Sequence, residues 1–225
     1  MHKAERTIST LFFDLDGTLT DPSEGITRCY QYSLEQLGYP FPTQADLLQY
    51  IGPPLRWTLP RLLGVEDEAL VDAGVRHYRV RFADVGLFEN ELYQGVPELL
   101  ETLSEAGFKL YVVTTKPAIY AKRILSHFDL DKYFVETYGP ELDGRFDDKT
   151  ELIEHILRER SLQPEETVMI GDRASDITAG KTNGTRTLAV TYGFGDTEEL
   201  TAAGPDHLCH NPTEIRGIVA DGPLS

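Results

Sequence analysis

The stretch that most constrains this chain is a short apolar run that breaks into two aspartates, Leu11-Phe12-Phe13-Asp14-Leu15-Asp16-Gly17-Thr18-Leu19. The run Ile8 to Phe13 lacks the in-out alternation of a surface strand and reads as a strand buried on both faces of a parallel sheet. In open α/β sheets, ligands sit in the crevice beyond the carboxyl ends of the strands, where Asp14 and Asp16 would emerge. Two carboxylates there repel each other, and a hard divalent cation is the natural offset. If the backbone curls at Gly17, the two side chains diverge and can do different work. Asp14 suits attack on an electrophile, and Asp16 suits moving a proton to a leaving group and then from water. The plain alternative is a strand end with two solvated turn aspartates, since Asp-Gly is a common turn pair. What lies at the ends of the later strands decides between them.

After Leu19 the pattern turns helical for about seventy residues, judged by its 3.6-residue period. Ser23 is placed to cap a helix through Ile26, Tyr30, Leu34 and Leu37 that ends at Gly38. Thr43 with Asp46 resembles a capping box. Leu55 to Leu63 reads as a helix kinked or broken at Pro60, and Glu66 to Val85 as the longest helix. Nothing in this block looks like a strand, so it is expected to be an inserted helical subdomain. From Tyr93 an α/β rhythm resumes. Further strands are expected at Phe108–Val113, Tyr133–Tyr138, Thr167–Ile170 and Arg186–Val190, with a last helix over Thr213–Ala220.

Four of the five strands deliver a polar group near one edge: Asp14 and Asp16, Thr114, Lys149 after a loop, and Asp172 with Asp176. Each suits a part of phosphoryl transfer through a covalent intermediate. Asp14 is the oxygen nucleophile, Thr114 and neighbouring N–H groups hold phosphoryl oxygens, and Lys149 supplies positive charge. Asp172, with Asp14 and a backbone carbonyl, suits a six-coordinate Mg²⁺, and Asp176 supports the metal one helical turn behind. Singly, each has a duller reading as a cap, a solvated helix start or a turn. Their joint occurrence in this order favours the site.

The segments DLDGTL, VVTTK, Lys149 and GDRASD resemble the four motifs of the haloacid dehalogenase-like hydrolases over nearly the whole chain. The resemblance implies Asp14 as nucleophile, Asp16 as acid/base with its backbone carbonyl on Mg²⁺, Thr114 and Lys149 as the second- and third-motif residues, and Asp172 and Asp176 as the fourth-motif acids. The helical insertion, with Gly52-Pro53-Pro54-Leu55 and Tyr192-Gly193-Phe194-Gly195, is similar to the phosphoglycolate phosphatase-like branch. Many relatives carry Asn where this chain has Thr115. The implied fold is a Rossmann-like doubly wound parallel sheet, formed by residues 1–19 and 92–225, with an α-helical cap over 20–91. Arg28 and Arg56 are the expected substrate-binding cations of the cap, with Thr115 and Lys116 on the core side. Arg76, His77, Arg79 and Arg81 read as cap surface. The implied activity is Mg²⁺-dependent hydrolysis of a small anionic phosphomonoester, either phosphoglycolate-like or a nucleoside monophosphate. A phosphomutase and a non-catalytic binding module are the alternatives.

Composition narrows the partners. A formal charge of −16 and a pI near 4.7 argue against a nucleic-acid partner or an acidic membrane surface. An anionic substrate must then be drawn in by a local cluster of cations. Cys29 and Cys209 suggest neither a disulfide framework nor a zinc site. Met1 to Thr10 has no apolar segment suited to a signal peptide, so a cytoplasmic monomer or homodimer is expected.

Overall fold

The computed structural model describes residues 8–142, 144–221 and 224. In chain order the strands are β1 (Thr10–Phe13), β2 (Thr20–Asp21), β3 (Glu91–Leu92), β4 (Lys109–Val113), β5 (Glu136–Tyr138), β6 (Thr167–Gly171), β7 (Arg186–Val190) and β8 (His207–Cys209). The helices are α1 (Ser23–Gln36), α2 (Gln44–Leu47), α3 (Leu55–Leu63), α4 (Glu68–Arg81), α5 (Val96–Glu105), α6 (Ala118–His127), α7 (Lys149–Glu159), α8 (Ala174–Thr182), α9 (Thr197–Ala203) and α10 (Ile215–Ala220). Among the described residues, six strands form one parallel sheet in the order β5-β4-β1-β6-β7-β8.

The period-two geometry of β1 explains how the sheet is wound on both faces. Leu11 and Phe13 point to one side, where Val112 and Ile170 join them against apolar residues of α5, α6 and α10. Phe12 points to the other side, level with Tyr111 of β4 and Met169 of β6, against Leu152, Ile153 and Ile156 of α7. The Phe12 and Tyr111 rings meet edge to face at 5.7 Å. With helices on both faces, every residue of β1 is buried, which is why its sequence shows no alternation.

Helices α1 to α4 lie between β2 and β3 in the chain and pack around Leu34, Leu59, Val71, Val75 and Tyr78. Tyr78 is close to Tyr30 at 5.0 Å and stacks on Phe82 at 5.6 Å. The expectation of no strand in this block is corrected: Thr20–Asp21 pairs antiparallel with Glu91–Leu92. Two residues are too short for an alternation to be read. β8 and α9 stand outside the expected elements: β8 is a half-buried strand of three residues and α9 a helix of seven, both short for a periodic signal. Ser23 is not the cap of α1; Asp21 Oδ1 accepts from the Ser23 N–H at 2.9 Å instead, reaching over Pro22. The capping box at Thr43 and Asp46 is present. α3 continues unbroken through Pro60. Pro60 lies in the second turn, so its missing N–H removes a single helical bond.

α4 does not end at Arg81 but widens into a π-turn over Phe82–Gly86, closed by the Leu87 N–H donating to the Phe82 carbonyl at 2.8 Å. That turn presses the Gly86 carbonyl onto α1 at Gly25, where a Cβ would lie only 2.1 Å from the oxygen. The Gly25 N–H also donates to the Glu89 carbonyl at 3.0 Å. Both obstacles are backbone and cannot swing aside. Gly25→Ala is therefore expected to lower the unfolding free energy by about 1–3 kcal/mol through overpacking. Urea denaturation is the measurement, and an unchanged midpoint would mean that the two segments separate at no cost.

Candidate functional site

The ends of β4, β1 and β6, adjacent in the sheet, bring the acidic motifs together. Asp14 continues the β1 ladder, its N–H donating to the Ile170 carbonyl at 2.9 Å. Gly17 then takes φ +86°, and its N–H donates to the Thr20 carbonyl at 2.8 Å, which curls the chain and separates Asp16 from Asp14. A Cβ at Gly17 would lie 2.1 Å from Asp172 Oδ2, so the turn requires glycine on two counts. Asp172 follows β6 directly and accepts from the Phe194 N–H at 2.8 Å. Gly193 closes over it, with a virtual Cβ 2.4 Å from the Asp172 Cβ. Asp176, in the first turn of α8, accepts from the Arg173 N–H at 3.0 Å through Oδ2 and bonds Lys149 through Oδ1.

Asp14, Asp16, Asp172 and Asp176 are all buried, and the buried ammonium groups beside them are Lys149 and Lys116. Lys149 Nζ lies 3.0 Å from Asp14 Oδ1 and also pairs with Asp176, while Lys116 Nζ lies 2.9 Å from Asp16 Oδ2. Burial works against charge on Lys149, but Asp14 and Asp176 outweigh it and raise its pKa. Burial, reinforced by the charges of Asp176 and Asp14, pushes the Asp172 carboxyl well above the usual range; the Phe194 N–H only partly opposes this. Burial also raises Asp16, against the pull of Lys116.

The Oδ1 atoms of Asp14, Asp16 and Asp172 are buried without a well-aligned hydrogen-bond partner; the Lys149–Asp14 pair has ion-pair distance but not hydrogen-bond alignment. Carboxylate oxygens of Asp14, Asp172 and Asp176 lie within 4.8 Å of one another. Orphaned oxygens, excess negative charge and an all-oxygen donor set fit a hard divalent cation such as Mg²⁺.

Thr114 is buried at the end of β4, and its Oγ1 accepts from the Lys116 N–H at 3.2 Å. Thr115 turns its hydroxyl toward the helical insertion and donates to the Gly52 carbonyl at 2.9 Å. Between the insertion and the sheet edge is a cavity of about 590 Å³. Asp16, Thr115 and Lys116 line one part of it, Tyr50, Tyr78, Phe82 and Tyr120 give it aromatic walls, and Arg56 and Arg79 add positive charge.

The expected cap cations fall differently. Arg56 lines the cavity but pairs with Asp72 at 2.6 Å. Arg28 is not among the lining residues and pairs with Glu24 and Glu89, each at 2.9 Å. Arg79, read from the sequence as cap surface, lines the cavity. Its spacing held a signal: Val75, Tyr78, Arg79 and Phe82 recur at intervals of three and four and form one helix face. No helix among the described residues is long and apolar enough to cross a membrane.

Residues 11–190 match the family model described as haloacid dehalogenase-like hydrolase. A 5'-nucleotidase of Pseudomonas aeruginosa is 44% identical over 219 residues, spanning 97% of this chain and 99% of its own. The tyrosine-protein kinase PtkA of Mycobacterium tuberculosis is 34% identical over 204 residues, spanning 90% of this chain and 69% of its own. The crystal structure of a predicted phosphatase from Clostridium acetobutylicum superposes with a TM-score of 0.88 at 36% identity, covering 93% of this chain and 96% of that one.

The ion pairs make a stability prediction independent of catalysis. Lys149→Met leaves Asp14 and Asp176 buried without their ammonium partner. Unfolding in urea with EDTA present should show a loss of about 3–5 kcal/mol, the usual result of removing one member of a buried pair. A loss below about 1 kcal/mol would mean that the carboxylates are compensated by other groups.

Proposed function

We propose, from the premise that this chain belongs to the haloacid dehalogenase-like hydrolases and is a phosphatase, that it hydrolyses nucleoside 5'-monophosphates through an aspartyl-phosphate on Asp14. The observation that carries this reading is the aromatic-walled cavity of about 590 Å³, with the Lys116–Asp16 pair in its lining. A two-carbon ester such as phosphoglycolate would leave most of that volume empty, whereas a nucleoside occupies considerably more of it and presents a flat ring to the aromatic side chains. The 5'-nucleotidase at 44% identity supports the same substrate class.

In this mechanism Asp14 attacks phosphorus and the ester oxygen leaves with a proton from Asp16. Asp16 then takes a proton from the water that attacks the acyl phosphate. Lys149 holds Asp14 in place and offsets charge on the transferring group. The Thr114 hydroxyl and the Thr115 backbone N–H donate to its oxygens. Lys116 fixes the Asp16 carboxyl from the cavity side. Asp14, Asp172 and the Asp16 backbone carbonyl would hold Mg²⁺, which supplies positive charge beside the phosphoryl oxygens. Asp176, with both oxygens engaged by Lys149 and Arg173, supports that set from behind. A phosphomutase would return the phosphoryl group to substrate; release of free phosphate with nucleoside separates the two.

The metal assignment has a readout that needs no turnover. At a hundredfold excess over Kd, Mg²⁺ binding adds about 2.7 kcal/mol of stability. For a chain of this size that equals roughly 5–10 °C in Tm over EDTA-treated protein. Asp172→Asn should abolish the rise, and a full rise in that variant would place the ion elsewhere.

The two aspartates separate by leaving group. Asp14→Asn should be inactive on every ester. Asp16→Asn should fail on nucleotides, whose alkoxide needs a proton. With p-nitrophenyl phosphate it should still release about one equivalent of nitrophenol in a burst, followed by slow turnover. Uniform losses without a burst would reduce Asp16 to a geometric role.

A further inference from the structure

The cavity cations are not equivalent. Lys116 is paired with Asp16, and Arg56 with Asp72. Arg79 has no ion pair or side-chain hydrogen bond among the described residues, and its Nε is shut off from solvent without an acceptor. An arginine is donor on every nitrogen, so a cavity-lining guanidinium whose Nε is buried with no protein acceptor is suited to recognising an acceptor on a ligand. It sits beside Tyr78 and one turn from both Val75 and Phe82, on the face of α4 that carries the aromatic wall. Asp16 and Lys116 come from the sheet-edge side of the cavity, where the reacting phosphoryl group approaches in the mechanism above, and the Lys116 ammonium lies 4.7 Å over the Phe82 ring. Arg79 comes from the insertion side, which leaves it for the part of the substrate beyond the phosphoryl group, in a nucleotide the nucleoside with its base.

We infer that Arg79 reads the base and favours one with a carbonyl at the edge it faces over one with an amino group; this rests on the nucleotide reading above. A carbonyl, alone or with a neighbouring ring nitrogen, accepts from the guanidinium. An amino group at the same place sets donor against donor and leaves the buried Nε without a partner. Flat aromatic neighbours hold the ring but do not distinguish bases, because every base has a π face. Discrimination then falls to Arg79.

Inosine and adenosine 5'-monophosphates isolate this contact, since they carry a carbonyl and an amino group at the same ring carbon. The experiment measures kcat/KM for both, and for p-nitrophenyl phosphate, in the wild type, Arg79→Met and Arg79→Lys with Mg²⁺ present. The wild type should favour the inosine ester by roughly 10- to 100-fold, the range of one good arginine–base contact. In Arg79→Met the inosine-to-adenosine ratio should fall toward one, and the inosine-to-nitrophenyl ratio should fall with it. Arg79→Lys should recover part of both. Continued turnover of p-nitrophenyl phosphate in the variants shows that the fold is intact. A wild type that hydrolyses both nucleotides equally well overturns the role of Arg79, as does an unchanged ratio in Arg79→Met. An enzyme that cleaves p-nitrophenyl phosphate but neither nucleotide overturns the nucleotide reading itself, and the inference with it.

Discussion

Four buried carboxylates face two buried ammonium groups at the edge of the sheet, and the surrounding structure is arranged around that imbalance. Such a cluster is costly in a low-dielectric site unless it is held closely and completed by further positive charge. The parallel sheet holds it, because β4, β1 and β6 are neighbours and their ends lie only about 5 Å apart. The glycines bring the loops close. Gly17 and Gly193 approach Asp172 within distances that no side chain would permit, and Gly171 does the same for Asp176. Asp16 and Asp172 carry raised pKa values because burial disfavours their charge; Lys116 only partly offsets this at Asp16, and the Phe194 N–H only partly at Asp172. The same excess gives an all-oxygen donor set for a hard cation.

Much of this was readable from the residues because the chemistry sits next to its secondary structure. Asp14, Thr114 and Asp172 each follow a buried strand within a residue or two, so an apolar run followed by a polar group was sufficient to locate them. Lys149 opens α7 and reaches back to Asp14, and Asp176 follows Asp172 by four residues, in the first turn of α8. The sheet was readable for the same reason, except at its short edge strand β8 and in the ribbon of β2 and β3. There, two or three residues carry no periodic signal.

The helical insertion was less legible. Helical periodicity says which residues share a face but not which face meets the cavity. Arg28 and Arg79 illustrate the problem. Both lie on amphipathic helices, yet Arg28 is drawn to Glu24 one turn before it and to Glu89, which no local pattern links to it, whereas Arg79 lines the cavity with Tyr78 and Phe82. Arg56 combines both outcomes, lining the cavity while held by Asp72 sixteen residues away. Ion pairs at such separations depend on packing angles between helices, and those are properties of the assembled structure.

The hydrogen bond from Thr115 to Gly52 joins the sheet edge to the insertion through a main-chain carbonyl. Its acceptor therefore survives any change of side chain in the insertion. Within the insertion the constraint falls on Gly52, whose φ of +109° is a backbone conformation that side-chain-bearing residues rarely adopt. Docking and recognition are thus written in different parts of the same segment. A lineage can remodel the walls of the cavity while the insertion still meets the sheet edge in the same place, so new pocket shapes can be explored without first reinventing that contact.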